Sequence, residues 1–277
     1  MQEKFVIAKS QAIRLLLLKH GLLGELTLQG NQGGIEYVKQ AGCIQYDPVD
    51  VFGKNHELVF FSKVKNFSKD DIYSLLYEER KLIDCLDKCM SICMVSDWPY
   101  FEKQRENFEA SVISKEATNE AIFDILDYIK KNGPVCSSDI NFDKTVDWYW
   151  SKTSLARAAM DRLFYRGDLL FHHKKNTRKY YDLAERLIGP EIFSMKNPNK
   201  TTEESIEWNI LRRIGSVGLL HNNASYAFIG IDGLKSEGRN AAYAALEKDG
   251  KIREVFVDGI KKSFYYMVGF IGNKCWG

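Results

Sequence analysis

Apolar residues recur at helical spacing in four segments of the chain, separated by polar and glycine-containing stretches. These segments cover residues 12–19, 34–40, 116–131 and 203–213. Ser114 is the expected N-cap of the third helix, and Thr201 with Glu204 predicts a capping box before the fourth. Each helix is predicted to end close to a glycine: Gly21, Gly42, Gly133 and Gly215. Short strand-like segments lie between the helices without regular strand–helix alternation, which argues against a doubly wound sheet.

A segment in the middle of the chain is similar enough to a later one to indicate an internal repeat. Residues 158–169 align with residues 241–252 without a gap. The alignment continues to Tyr181, which corresponds to Phe264. Each copy is predicted to contain a helix, a glycine, a strand, a basic turn and a second strand, and each follows a longer helix. This order of elements is typical of a winged helix, a helix-turn-helix unit with a β wing.

The sequence therefore predicts an α+β fold that is mainly helical and consists of tandem winged-helix domains. We expect three domains along the chain. Residues 1–112 form an N-terminal, winged-helix-like domain with a Gln-x-Asp motif, and residues 113–195 form a second winged helix with a basic wing. Residues 196–277 form a third winged helix that is short at its C-terminus.

Composition narrows the class of protein only modestly. The chain has 277 residues, of which 27% are charged, and its formal net charge is +2. No apolar run approaches the roughly 18 residues of a membrane span. Lysine and arginine interrupt the apolar N-terminal stretch, so no signal peptide is predicted. We therefore expect a soluble protein of the cytoplasm, in the cytosol or associated with the nucleoid, with no membrane partner. We also expect it to be a monomer.

The six cysteines do not predict a disulfide scaffold or a zinc site, because no CxxC pair and no CxxC…HxxxH spacing occurs. Cys85, Cys89 and Cys93 recur every four residues in a segment that we expect to be helical. They are interpreted as small residues facing a core, with a metal-binding stripe as the alternative. We expect no metal and no cofactor.

Basic residues are concentrated in one segment, although the chain as a whole is nearly neutral. Between Trp150 and Tyr181 there are eight basic residues and two acidic ones. Part of this segment is the predicted wing tip, where lysine and arginine can neutralise phosphates and release counterions. The segment therefore favours a nucleic-acid partner, and a solvated hairpin without a partner is the alternative. The candidate DNA contacts here are Trp150, Lys152, Arg157, His172, His173, Lys174, Lys175, Arg178 and Lys179.

Two features of this segment allow more than one interpretation. His172 and His173 could bind phosphate or metal, but a solvated position on the wing is favoured because no third ligand is nearby. Trp148 and Trp150 could stack on bases or pack beneath the recognition helix, and we expect at least one of them to pack.

Candidate chemistry lies in the Gln-x-Asp triplet of Gln45, Tyr46 and Asp47. Pro48 favours an extended conformation at Asp47, so the Gln45 and Asp47 side chains would project together on one face. Ile44 and Tyr46 would then face the core. The amide can orient a water molecule and the carboxylate can accept its proton, which suits attack on a cation-like sugar carbon. Taken alone, such a triplet more often lies on a solvated surface or in a turn.

Further motifs accompany this triplet, and they fall in a fixed order along most of the chain. In that order they are Gln45-Tyr46-Asp47, Asp50-Val51, Lys54, His56, Phe61-Ser62-Lys63, Leu75-Leu76-Tyr77, Arg80, Trp98-Pro99, Gly133-Pro134, Trp148-x-Trp150-x-Lys152 and Arg178-x-Tyr180-x-Asp182-Leu183-x-Glu185-Arg186. Together they resemble the YcaQ/AlkZ-type DNA glycosylases, tandem winged-helix proteins that excise alkylated bases and unhook interstrand crosslinks.

The resemblance implies a function and assigns roles to individual residues. It implies a DNA glycosylase of base excision repair that acts on N7-alkylated purines and crosslinks in double-stranded DNA. Gln45 would position the attacking water, and Asp47 would act as its base or as an electrostatic stabiliser. Lys54, His56 and Lys63 would contact DNA, although the family usually has arginine in place of both lysines. Relatives also continue into a C-terminal β-rich domain, which is expected to be missing here.

The same features are compatible with two other kinds of protein. A non-enzymatic winged-helix DNA-binding protein, such as a transcriptional regulator or an inactive relative, would need the wing but not the Gln-x-Asp pair. The basic wing is also compatible with RNA binding.

Overall fold

The computed structural model describes residues 4–47 and 50–269, and it has the mainly helical α+β fold that the sequence predicts. Pro48, which is expected to extend the chain at Asp47, lies outside these residues. No helix in the described part of the chain is long and apolar enough to cross a membrane.

The helices and strands alternate irregularly along the chain. The described helices are α1 (Lys9–Lys19), α2 (Gly30–Ala41), α3 (Asn55–Lys63), α4 (Lys69–Tyr73), α5 (Glu102–Ser111), α6 (Lys115–Asn132), α7 (Leu155–Arg166), α8 (Ala184–Ser194), α9 (Thr202–Val217) and α10 (Ser236–Lys248). The described strands are β1 (Val6–Ile7), β2 (Ile44–Gln45), β3 (Leu82–Leu86), β4 (Met90–Met94), β5 (Thr145–Val146), β6 (Thr153–Ser154), β7 (Leu169–Lys175), β8 (Arg178–Leu183), β9 (Ile252–Val257) and β10 (Ser263–Met267).

The chain folds into two compact units. The first unit comprises Met1–Asp71, Asp87–Ser91 and Asn199–Gly277, and the second comprises Ile72–Leu86 and Ile92–Pro198. Segments from both ends of the chain therefore belong to one unit. The division of the sequence into three winged-helix domains stays a prediction.

All four predicted helices are present, and the capping box before the last of them forms as expected. The predicted segments lie within α1, α2, α6 and α9. The Thr201 hydroxyl accepts the Glu204 N–H at 3.1 Å, and the Thr201 N–H donates to the Glu204 carboxylate at 3.2 Å. This reciprocal pair satisfies two backbone amides that have no partner within the helix.

At two helix ends the structure departs from the expectation, in part at Ser114 and fully at Gly215. Ser114 stands at the N-cap position of α6, but its hydroxyl donates to the Asp147 carbonyl at 2.7 Å and makes no side-chain cap. Gly215 lies inside α9, which ends only before Gly218, where φ is +96°. A Cβ at Gly215 would lie 2.5 Å from Met267 Sδ, so this glycine permits close packing rather than ending the helix.

Both copies of the internal repeat fold in the predicted order. In the first copy α7 is followed by Gly167 and the β7–β8 hairpin, and in the second α10 is followed by Gly250 and the β9–β10 hairpin. The two glycines have φ angles of +91° and +68°, which glycine adopts without strain. The aligned residues Leu163 and Leu246 are both buried. This is the element order that a winged helix requires.

In the first unit, residues from the two ends of the chain share one core. β1 pairs in parallel with β9, with Ile7 opposite Val257. Leu15 of α1 is buried in the same apolar cluster as Val255 of β9. Sequence periodicity does not indicate this pairing, because β1 is too short to show a recognisable alternation.

In the second unit, α6 and α7 pack with the β7–β8 hairpin. Phe164 of α7 stacks on Phe171 of β7, with ring centroids 4.3 Å apart. Arg162 is 1% exposed and donates to Glu109 of α5 at 2.5 Å and to the Thr118 hydroxyl of α6 at 2.7 Å. Because a buried guanidinium without such partners is strongly destabilising, these bonds fix how the three helices pack.

Cys85, Cys89 and Cys93 do not lie on a helix, which corrects the expectation from their spacing. Cys85 is on β3, Cys93 is on β4, and Cys89 is in the turn between these strands. Cys85 and Cys93 are buried and form a disulfide. A period of four residues fits a helical face, but a strand–turn–strand segment can show the same period and bring its first and third cysteines together.

Candidate functional site

The Gln-x-Asp triplet begins on β2, the short strand that follows α2. Ile44 is 3% exposed and Gln45 is exposed, as the alternation of an extended chain predicts. Tyr46 and Asp47 are both half-buried, so the alternation ends there. The Gln45 side chain is therefore accessible to solvent, and Asp47 is partly accessible two residues further on.

The backbone of the triplet is held on two sides. The Tyr46 N–H donates to the Met90 carbonyl of β4 at 2.8 Å. The Asn55 side-chain amide, at the start of α3, donates to the Gln45 carbonyl at 3.0 Å. The Tyr46 ring also stacks on His56, with centroids 4.8 Å apart and an interplanar angle of 23°. These contacts restrict the backbone of the triplet and bring the start of α3 next to it.

The three DNA contacts that the resemblance implies have different surroundings. The Lys54 side chain is 32% exposed. His56 is buried against Tyr46. The Lys63 ammonium donates to the His20 carbonyl at 2.6 Å. The structure thus brings Lys54 and His56 to the triplet and joins Lys63 to the end of α1.

An acidic residue that sequence reasoning missed lies at the centre of this group. The buried Glu57 carboxylate lies 2.8 Å from the Lys69 ammonium and 4.0 Å from that of Lys54. Burial alone would raise the pKa of Glu57, but the hydrogen bond and charge of Lys69, with help from Lys54, hold it below its usual value. The ionised carboxylate therefore holds both lysines near the start of α3. The i, i+3 spacing of Lys54 and Glu57 is the sequence signal that could have indicated it.

A buried ion cluster holds the chain just before the triplet. Asp87, in the β3–β4 turn, lies 2.6 Å from Arg213 and 3.1 Å from Arg212, both on α9. Arg212 also donates to the Gly42 carbonyl at 2.7 Å, which ties α9 to the start of β2. Burial alone would raise the pKa of Asp87, but the two arginines lower it below its usual value. Burial and the Asp87 charge raise the pKa of Cys43, so this thiol stays protonated at neutral pH.

The basic wing is a β-hairpin whose tip carries exposed cationic side chains. Lys175 pairs with Arg178 across a tight turn that begins with Asn176, where φ is +56°. Lys175 and Arg178 are exposed, whereas Lys179 is half-buried with its ammonium 5.0 Å from the centre of the Phe171 ring. The tip therefore presents positive charge to solvent.

Lys174 and the two histidines of the wing are engaged within the fold. The Lys174 side chain is 12% exposed, and its ammonium lies 2.6 Å from the buried Asp84 carboxylate. His172 and His173 approach each other through their Nδ1 atoms at 2.8 Å, and His173 stacks on Tyr180 at 4.3 Å. Burial lowers the pKa of both histidines, so both are neutral at physiological pH.

The remaining candidates lie on α7 or just before it and face solvent. Trp150 is 98% exposed, whereas Trp148 is half-buried with its ring 5.0 Å from that of Tyr149. One of the two tryptophans therefore packs and the other does not. Lys152 is exposed, and the Arg157 side chain is 64% exposed.

Within residues 4–47 and 50–269, no three acidic, histidine or cysteine side chains converge in a way that could hold a metal ion. His172 and His173 therefore have no third ligand among them. The expectation that the protein uses neither a metal nor a cofactor stays a prediction.

Comparison with known families bears directly on the triplet and the wing. The family model described as DNA glycosylase AlkZ-like matches residues 38–269, which include the triplet, α3 and the basic wing. The chain belongs to this AlkZ-like family of DNA glycosylases. The resemblance inferred from the sequence motifs is thereby confirmed.

A solved structure of an AlkZ protein shares this fold. The DNA glycosylase AlkZ of Streptomyces sahachiroi matches with a TM-score of 0.62 and 13% sequence identity, over 96% of this chain and 71% of that one. At this identity the match concerns the fold alone. No curated protein matches the chain.

Proposed function

We propose that this AlkZ-like protein hydrolyses the N-glycosidic bond of N7-alkylated purines in double-stranded DNA and unhooks interstrand crosslinks by the same reaction. The observation that carries the proposal is the Gln45–Asp47 pair. It lies in the segment matched by a family of DNA glycosylases, on a backbone held by β4 and α3. An accessible amide two residues from a carboxylate has the groups that hydrolysis at a sugar carbon needs.

The chemistry follows from the charge of the damaged base. Alkylation at N7 makes the purine cationic, so the bond from C1′ to the base breaks with its electron pair passing to the base, which leaves neutral. The Asp47 carboxylate stabilises the cation-like sugar that results. Gln45 orients a water molecule whose oxygen attacks C1′ while its proton passes to Asp47. A crosslink between two N7 atoms is released by the same steps at either of its purines.

Exposed cations of the second unit make the phosphate contacts in this proposal. They are Lys152, Arg157, Lys175 and Arg178. Such contacts hold DNA irrespective of its sequence, and Trp150 is exposed enough to stack on a base. Lys174 is less suited to this role, because its ammonium is paired with Asp84.

Near the triplet, one residue contacts a phosphate and two others position the residues around it. Lys54 is the phosphate contact, because part of its side chain faces solvent. His56 acts through the Tyr46 ring on which it stacks. Lys63 acts by joining the end of α3 to the His20 carbonyl.

Excision from a defined lesion tests the proposal. A duplex with a single N7-methylguanine is incubated with the protein, and abasic sites are then converted to strand breaks with alkali. The wild-type protein should produce breaks above a boiled control. Asp47→Asn should lower the rate by about 100-fold or more while DNA affinity is retained. Asp70→Asn, which removes an exposed carboxylate from α4, is the matched control and should leave the rate unchanged.

The opposite result would favour a different function. If the wild-type protein makes no breaks but still binds undamaged duplex, it is a non-enzymatic DNA-binding protein. Competition between duplex DNA and RNA at one salt concentration decides which nucleic acid is the partner. Monomeric state and cytoplasmic location stay predictions.

A further inference from the structure

Two consecutive apolar side chains face solvent shortly after the Gln-x-Asp triplet. Val51 is 74% exposed and Phe52 is 93% exposed. Single exposed apolar residues are common on protein surfaces and need no explanation. Here two of them stand together at the tip of one short loop, next to the residues proposed to act on DNA.

The loop that carries them is braced at its base. An antiparallel β-bridge joins Asp50 to Lys54 and leaves a tip of three residues between them. A Cβ at Gly53, where φ is +129°, would lie 3.1 Å from Leu58 Cδ2, so this glycine lets the loop lie close against α3. The tip therefore projects from an anchored base.

The base of the loop is also next to the triplet. Asn55, which follows Lys54, donates to the Gln45 carbonyl at 3.0 Å. Asn55 is the third residue after Phe52, and that length of chain spans at most about 11 Å. Successive bases along one DNA strand are roughly 3.4 Å apart, so a length of about 11 Å corresponds to about three bases. Phe52 is therefore close enough to the triplet to reach a base near the one on which the triplet acts.

We propose that Phe52, supported by Val51, enters the base stack of duplex DNA and occupies the space left by a singly alkylated nucleotide on which Gln45 and Asp47 act; a crosslinked base is tied to the opposite strand and is outside this inference. This inference rests on the proposed glycosylase function. Enzymes that act on a base must take it out of the duplex, and apolar side chains inserted at a base step unstack it. An aromatic ring stacks on any base, so the wedge requires no particular sequence.

The charge beside the loop also fits duplex DNA as its partner. Lys54, at the base of the loop, has a side chain that is partly exposed to solvent. A cation beside an apolar tip matches a duplex, in which phosphates flank the stacked bases. Glu57 lies 4.0 Å from this ammonium and leaves part of the Lys54 side chain facing solvent, so a phosphate can approach it from outside.

A wedge can speed excision only in a duplex, because only there must a base be unstacked. Comparing excision from duplex and from single-stranded DNA therefore separates an effect on unstacking from an effect on hydrolysis of the glycosidic bond. Single-turnover excision of one N7-methylguanine is measured in both substrates for the wild type, Phe52→Ala, Phe52→Trp and Phe123→Ala. Phe123 is 76% exposed on α6 and supplies the matched control. Phe52→Ala should lower the ratio of duplex to single-strand rates by about 10-fold or more. Phe52→Trp should restore most of that ratio, and Phe123→Ala should not change it.

Unstacking gives a second readout that needs no excision. A duplex with 2-aminopurine beside the lesion should change its fluorescence when the wild type or Phe123→Ala binds, and much less when Phe52→Ala binds at equal occupancy. The wedge is overturned if Phe52→Ala keeps both the wild-type rate ratio and the wild-type fluorescence change. A wild-type protein that unstacks the duplex without excising the base, while Phe52→Ala fails to unstack it, contradicts the proposed function but supports the wedge. One that does neither contradicts both.

Discussion

The Asp87 carboxylate lies 2.6 Å from Arg213, and both side chains are 2% exposed. Arg212, the neighbour of Arg213 on α9, lies 3.1 Å from the same carboxylate and donates to the Gly42 carbonyl just before the triplet. One acidic residue in a turn thus holds two cations and, through Arg212, the start of β2. Because a buried charge that loses its partner is strongly destabilising, this relationship has measurable consequences.

Asp87→Asn should lower the free energy of unfolding by about 3 kcal/mol, because two arginines lose the buried charge that compensates them. Urea unfolding measures the difference. Asp70→Asn removes an exposed carboxylate instead and should change the free energy by less than about 0.5 kcal/mol. Equal unfolding free energies for Asp87→Asn and the wild type would show that the cluster contributes no net stability.

The lowered pKa of Asp87 also predicts acid sensitivity of a defined sign. In acid the unfolded chain, with an ordinary aspartate pKa of about 3.9, binds a proton that the folded protein still excludes. The stabilisation is therefore complete above about pH 5 and is lost as the pH falls through the lowered folded value. The difference in unfolding free energy between the wild type and Asp87→Asn should shrink as the pH falls below about 4. A difference that stays constant in acid would contradict this assignment.

Lys19, at the end of α1, should be a destabilising charge at neutral pH. Burial lowers its pKa from 10.5 to about 8, so the folded protein binds this proton less tightly than the unfolded chain does. Its contribution to stability therefore rises with pH between about 8 and 10.5. Lys19→Met, which introduces an unbranched apolar side chain one heavy atom shorter, should raise the free energy of unfolding at neutral pH by roughly 1–2 kcal/mol after allowance for solvent screening. Above the ordinary lysine pKa, urea denaturation should show no gain in unfolding free energy for Lys19→Met over the wild type. A gain of the same size at every pH would mean that the variant is stabilised by better packing instead.

Lys175 and Arg178 at the tip of the wing should contribute to DNA binding, whereas the neighbouring Lys174 should contribute to stability. Lys175→Ala and Arg178→Ala should each reduce the slope of log affinity for duplex DNA against log salt by about 1, because each removes a phosphate contact. Lys174→Ala should leave the slope unchanged and lower the free energy of unfolding by about 3 kcal/mol, because the buried Asp84 loses its cationic partner and is left with the neutral hydroxyl of Tyr77. Salt titrations and urea unfolding provide the two measurements. A smaller slope for Lys174→Ala would mean that this ammonium leaves Asp84 to contact DNA.

The bond between Cys85 and Cys93 predicts how many thiols can be titrated. A thiol reagent added to the unfolded, unreduced protein should count two fewer thiols than after reduction. Replacing both residues by serine should abolish that difference, and Cys89→Ser should leave it in place because Cys89 is a free thiol. Equal counts before and after reduction of the wild type would contradict the pairing.

Local features of this protein could be predicted from the order of its residues. The capping box of Thr201 and Glu204 and the repeated helix–glycine–hairpin segment depend on groups that are close in the chain. The exposed Gln45 next to the buried Ile44 follows from the alternation of an extended strand. Residue spacing cannot identify the secondary structure where a helix and a hairpin fit the same period. The spacing of Cys85 and Cys93 fits both equally well.

The sequence by itself thus determined four of the helices, the order of elements in the repeat, the family and the position of the triplet, whereas only the tertiary structure decided which distant residues pair. The parallel pairing of Ile7 with Val257 and the ion pair of Arg213 with Asp87 join residues far apart in the chain. An open strand edge and a buried charge each need a partner, but which edge is open and which charge is buried is settled only when the elements pack. For the same reason the sequence marks Lys174 as a basic residue of the wing, and only the packed structure places its ammonium on a buried carboxylate.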